Sequence, residues 1–92
     1  MKKKCLNLYP SNAKNLDTTG YKKGDKGNGV LALKYLLMLA KKKSMHNINL
    51  DKNDIFGAGT QKAVNNILKN HGYSQNGIAG KKFIDLLGNE LL

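Results

Sequence analysis

Three stretches of the chain repeat apolar residues at intervals of three and four. The first carries Val30, Leu33, Leu36, Leu37 and Ala40, the second Ala63, Val64, Ile67 and Leu68, and the third Phe83, Ile84, Leu86 and Leu87. Such spacing gathers apolar side chains on one face of a helix. The flanking residues agree with that reading. Asp25, in "GDKGNGV", stands where a carboxylate accepts the free N–H groups of a first helical turn, an interaction of about 1 kcal/mol. Lys41, Lys42 and Lys43 stand at the other end, where positive charge suits exposed carbonyls. The second helix is expected over about 58–71, with Gly72 as its left-handed cap and Tyr73 making the apolar contact of that cap. The third is expected over about 81–87, closed by Gly88. No stretch reads as a convincing strand, so the expected fold is all-α, a small three-helix bundle with an N-terminal extended arm.

The arm is residues 1–20, where Pro10, Thr18, Thr19 and Gly20 are set among asparagine and serine with no sustained period. The periodic domain occupies 21–92. Its first helix has more apolar surface than one core stripe uses, because Leu31, Tyr35, Met38 and Leu39 occupy other faces. That surplus predicts a cover. Either the arm folds over it through Leu6, Leu8 and Tyr9, or two copies associate as a homo-oligomer through Leu31, Tyr35 and Met38.

A weak internal repeat joins the second and third segments. "IFGAGTQKAV" and "IAGKKFIDLL" superpose with Ile55 on Ile78, Gly57 on Gly80, Thr60 on Phe83 and Val64 on Leu87. In each, an isoleucine anchors the connection, a glycine permits a sharp turn into the helix, and an apolar residue two turns on faces inward. Phe56, set beside Gly57, is expected to turn back and plug the core.

Composition narrows the chemistry. The 92 residues include 16 lysines, no arginine and six acids, for a net charge of +10. That balance suits a polyanionic partner (nucleic acid, anionic lipid or a cell-wall polymer), or equally a solvated, solubilising surface. The missing guanidinium fork argues against specific base or phosphate recognition, so no specific nucleic acid is expected. Cys5 is the single cysteine, without a partner for a disulfide or a zinc site. His46 and His71 lack metal-ligand spacing, and His71 suits a donor role at a helix end. The six carboxylates offer no acid/base pair, so no catalytic residue, metal or cofactor is expected. The apolar part of "MKKKCLNLYP" is too short for a signal peptide, and no stretch reaches the roughly 20 apolar residues of a membrane span.

Tyr21, Gly24, Gly27, Val30 and Leu33, then Phe56, Gly57, Thr60, Ala63 and Val64, then Gly72, Tyr73, Gly77, Ile78 and Gly80 form one ordered set. This set resembles the peptidoglycan-binding domain family, three-helix modules carried by cell-wall hydrolases. The resemblance covers residues 21 to about 88, and the run F-G-x-x-T-x-x-A-V followed by G-I-x-G is its most specific part. Lys34 departs from the family's glutamine, Asn53 and Asp54 from Asp-Gly, Ile67 and Leu68 from Phe-Gln, Asn76 from aspartate and Phe83 from threonine. The core positions stay apolar or turn-permissive.

The resemblance implies a non-catalytic module that binds bacterial peptidoglycan and targets an attached or associated hydrolase, an endolysin or autolysin of a Gram-positive host or its bacteriophage. It would act at the cell wall, with anionic teichoic acid as a second attraction, and a phage-encoded product would arrive by lysis or holin release. The rival readings are a small basic nucleic-acid-binding helical protein and an oligomerisation module.

The candidate ligand-binding residues are Asn53, Asp54, Thr60, Gln61, Tyr73 and Asn76. Asp54, Thr60 and Asn76 belong to the two equivalent connections, where they would hydrogen-bond a glycan or stem peptide, or else satisfy local backbone N–H groups and turns. Tyr73 would stack on a sugar face or pack under the cap at Gly72.

Overall fold

The computed structural model describes residues 14–91. Within them the chain forms α1 (Asn28–Lys42), α2 (Ala58–Asn70) and α3 (Lys81–Leu91), joined by connections that make three isolated backbone bridges and no strand. This is the all-α three-helix bundle that the apolar spacing predicts. α1 packs against both α2 and α3. No helix among the described residues is long and apolar enough to cross a membrane.

The core takes Val30, Leu33, Leu37 and Ala40 from α1, Ala63, Val64, Ile67 and Leu68 from α2, and Phe83 and Leu87 from α3. Phe56 and Ala79 enter it from the two connections, both 0% exposed. Burying side chains of this size contributes about 1.5–3 kcal/mol each, so this face of each helix dominates the stability. Phe56 is the plug expected of it, and two backbone hydrogen bonds fix its position. Its N–H donates to Asp25 O at 2.8 Å and its carbonyl accepts from Gly24 N–H at 2.9 Å. The Tyr21–Ala79 pair repeats that arrangement at the other connection, with bonds of 3.0 and 2.9 Å.

The end of α2 agrees with expectation, while the start of α1 and the end of α3 depart from it. After α2, Gly72 has φ of +83°, its N–H donates to Lys69 O at 3.0 Å and Tyr73 N–H donates to Leu68 O at 2.8 Å. This is the expected left-handed cap, and Tyr73 packs against the core beneath it. The same pair of bonds closes α1, from Ser44 to Lys41 O at 2.9 Å and from Met45 to Ala40 O at 3.0 Å, with Ser44 at φ of 64° in place of a glycine.

Asp25 does not cap α1. It precedes the first helical residue by three positions and its carboxylate accepts Lys22 N–H at 3.0 Å, closing an earlier turn, while Gly27 takes the cap position without a side-chain bond. Nor does Gly88 close α3. The helix runs on to Leu91, whose side chain packs against the core, and that contact outweighs the roughly 1 kcal/mol that glycine costs inside a helix.

Lys14–Gly20, part of the expected arm, lie against the domain. Lys14 pairs with Tyr73, Leu16 packs on the core, and Asp17 reaches the start of α3. Cys5, Leu6, Leu8 and Tyr9 lie outside the described residues. On the surplus face of α1, Tyr35 and Leu39 are half exposed while Leu31 and Met38 are partly buried.

Candidate functional site

The repeat seen in the sequence is a repeat of structure. Asn53 Oδ1 accepts Ile55 N–H at 3.1 Å, and Asn76 Oδ1 accepts Ile78 N–H at 3.2 Å. Each asparagine thus sets the turn that delivers its isoleucine, and then a core residue, to the helix that follows. The two connections diverge one residue later, at the helix starts.

At α3 the start is filled. The Asp17 carboxylate accepts the N–H groups of Gly80 at 3.1 Å, Lys82 at 3.2 Å and Phe83 at 2.9 Å, satisfying donors that no helical carbonyl reaches. Asn76 Nδ2 holds the Asp17 carbonyl at 2.7 Å, so the segment carrying the carboxylate is itself fixed. A Cβ on Gly80 would collide with the Asp17 side chain and the Thr19 carbonyl.

At α2 the start is open. Gly57 precedes it with φ of −100°, no side chain caps it, and a Cβ on Gly57 would meet nothing within 4 Å. The expectation that this glycine permits a sharp turn is therefore corrected, since its backbone is extended and open to any residue. Gly57, Ala58, Gly59 and Thr60 line a cavity of about 290 Å³ whose lining also includes Lys34, Leu50, Asn53 and Asp51.

Lys34 is the unusual member. It is 2% exposed, and its Nζ donates to Asn53 Oδ1 at 2.7 Å and to Ile55 O at 2.9 Å. Both acceptors are neutral, and no carboxylate among the described residues pairs with it. Lysine is rarely buried without such a partner, because desolvating the ammonium costs several kcal/mol. Its place in the apolar pattern of α1 gave no sign of this. Only the fold brings Asn53 over it.

The six candidate residues do not form one site. Asn53 and Thr60 line the cavity, with Thr60 buried. Asp54 is exposed and contributes its carbonyl, which accepts Gly27 N–H at 3.0 Å. Gln61 packs across Gly77, Tyr73 lies under its cap and beside Lys14, and Asn76 serves Asp17 and Ile78. A second cleft, of about 540 Å³, lies between Tyr21, Asp25, Gly80, Ile84 and Asp85 and contains none of the six.

The histidines have structural partners. His46 is buried, with Nε2 2.7 Å from Leu37 O and Nδ1 accepting Ile48 N–H at 3.0 Å, and the Nε2–H tautomer satisfies both. His71 Nδ1 lies 2.8 Å from Ile67 O, in the donor position expected at the end of α2. No group of three or more metal-ligating side chains occurs among the described residues.

Comparison of the chain with family models, with curated proteins and with solved structures gives no match.

Proposed function

We propose that the chain is a non-catalytic module that binds bacterial peptidoglycan and holds a cell-wall hydrolase, an endolysin or autolysin, at its substrate. The observation that supports this reading is the F-G-x-x-T-x-x-A-V run of residues 56–64 with G-I-x-G at 77–80, whose members build both helix starts of a three-helix bundle. Retention is the mechanism. A weak module raises the concentration of an attached enzyme at the wall, and a tethered second contact acts at an effective concentration of about millimolar.

The lysines add a second attraction. Among the described lysines only Lys81 forms a salt bridge, with Asp85 at 3.2 Å, so most of the positive charge is left for anionic teichoic acid. That attraction is screened over about 8 Å at physiological salt. Pull-down on purified sacculi, before and after teichoic acid removal, separates the two terms. Retention on both materials, weaker on the second, is expected. No retention on either overturns the proposal.

A second reading is self-association through Leu31, Tyr35 and Met38, and the exposure of Tyr35 and Leu39 on α1 favours it. Native mass spectrometry at two concentrations reads it directly, and a monomer at both excludes it.

A further inference from the structure

We infer that the cavity at the start of α2 is a binding site for a carboxylate ligand, held between the Lys34 ammonium and the backbone N–H groups of Gly57, Gly59 and Thr60. The fold contains its own occupied counterpart. Under the internal repeat Gly57 corresponds to Gly80, Gly59 to Lys82 and Thr60 to Phe83. At α3 those three N–H groups are bound by one carboxylate, that of Asp17. At α2 no side chain caps the helix start and a Cβ on Gly57 would meet nothing within 4 Å, while the 48–50 segment approaches Gly59 from one side.

Lys34 is an independent reason to expect an anion there. Its ammonium has three N–H donors and two acceptors, neither of them charged. Among the described residues its positive charge meets no carboxylate, although Lys34 is only 2% exposed and lies on the wall of the same cavity. A carboxylate oxygen at the mouth of α2 completes that set, because the helix start and the ammonium both favour negative charge. Asp51, at the exposed rim, has the opposite effect and limits affinity.

Carboxylate is favoured over phosphate because the α3 template is a planar two-oxygen group spanning three N–H donors. In a wall-binding module the source is a stem-peptide carboxylate, and that step alone rests on the function proposed above. The cavity argument stands without it.

The test is titration of the ¹⁵N-labelled full chain with sodium acetate, N-acetylalanine, N-acetylalanine amide and inorganic phosphate, followed at the amides of residues 57–60. The two carboxylates are expected to shift the Gly57, Gly59 and Thr60 resonances saturably, and the neutral amide is expected to leave them in place. Lys34→Met should weaken the binding about tenfold, as removal of a charge-assisted bond does. If that variant fails to fold, Lys34→Gln gives the same reading. Gly57→Asp, which supplies the missing carboxylate from within the chain, should abolish the shifts, and Asp51→Asn should strengthen them.

Unmoved amides, equal shifts with the neutral amide, tighter binding of phosphate, or insensitivity to the folded Lys34 and Gly57 variants would each overturn the inference. Sacculus retention without these shifts overturns the pocket and leaves wall binding standing. Shifts without retention do the reverse.

Discussion

The Asp17 carboxylate accepts the Phe83 backbone N–H at 2.9 Å across 66 positions of sequence, and so joins the segment before the domain to the helix that ends it. With Gly80 and Lys82 it satisfies three donors at once. Asp17→Ala should destabilise the fold by about 1–3 kcal/mol, since it removes a cap and leaves partly buried N–H groups unpaired. Asp25→Ala, which removes one exposed turn contact, should cost under about 1 kcal/mol. Urea denaturation of the two variants checks the difference, and equal midpoints would refute it.

Gly57 and Gly80 occupy equivalent positions for different reasons. Gly57→Ala adds a methyl group to open space at an ordinary backbone angle and should change stability by no more than about 0.5 kcal/mol. Gly80→Ala drives a methyl group into Asp17 and Thr19 and should cost about 1–3 kcal/mol. Thermal unfolding of both variants gives the comparison.

Gly88 lies inside α3 with nothing within 4 Å of an added Cβ. Gly88→Ala should therefore stabilise the protein by about 0.5–1 kcal/mol, through higher helix propensity. A rise in melting temperature is the expected observation, and a fall would show that the helix ends before this residue.

Ser44 holds a left-handed angle, φ 64°, that costs an L-residue about 1 kcal/mol or more. Ser44→Gly keeps the two cap bonds and relieves that cost, for a net gain of about 0.5 kcal/mol after the added freedom of the unfolded chain. Equilibrium unfolding in urea measures the gain. A loss would mean that the serine side chain contributes more than the strain removes.

Much of the fold was legible because it depends on local periodicity. Leu33, Leu37, Val64, Ile67, Phe83 and Leu87 are buried where their spacing places them, and Gly72 caps α2 as its position requires. Errors fell where a residue's partner is distant in sequence or where two local signals compete. Gly88 read as a stop because glycine is a weak helix former, yet the packing of Leu91 extends the helix past it. Asp17 read as linker because its partners lie more than sixty positions away.

The candidate site was legible only in outline. Asn53 and Thr60 were picked out by the repeat and the motif, and both line the cavity. In the sequence Lys34 stands out only as a departure from a glutamine, since a lysine between leucines on a helix ordinarily extends its ammonium to solvent.

By itself the sequence determined the three helices, the apolar face of each, the positive charge and the repeated approach to α2 and α3, because each follows from residue type and near-neighbour spacing. Tertiary structure alone decided that one of the two equivalent helix starts is filled by Asp17 while the other stays open beside a buried ammonium. Which donor meets which acceptor across 66 positions depends on how the helices pack, and no local pattern encodes that distance.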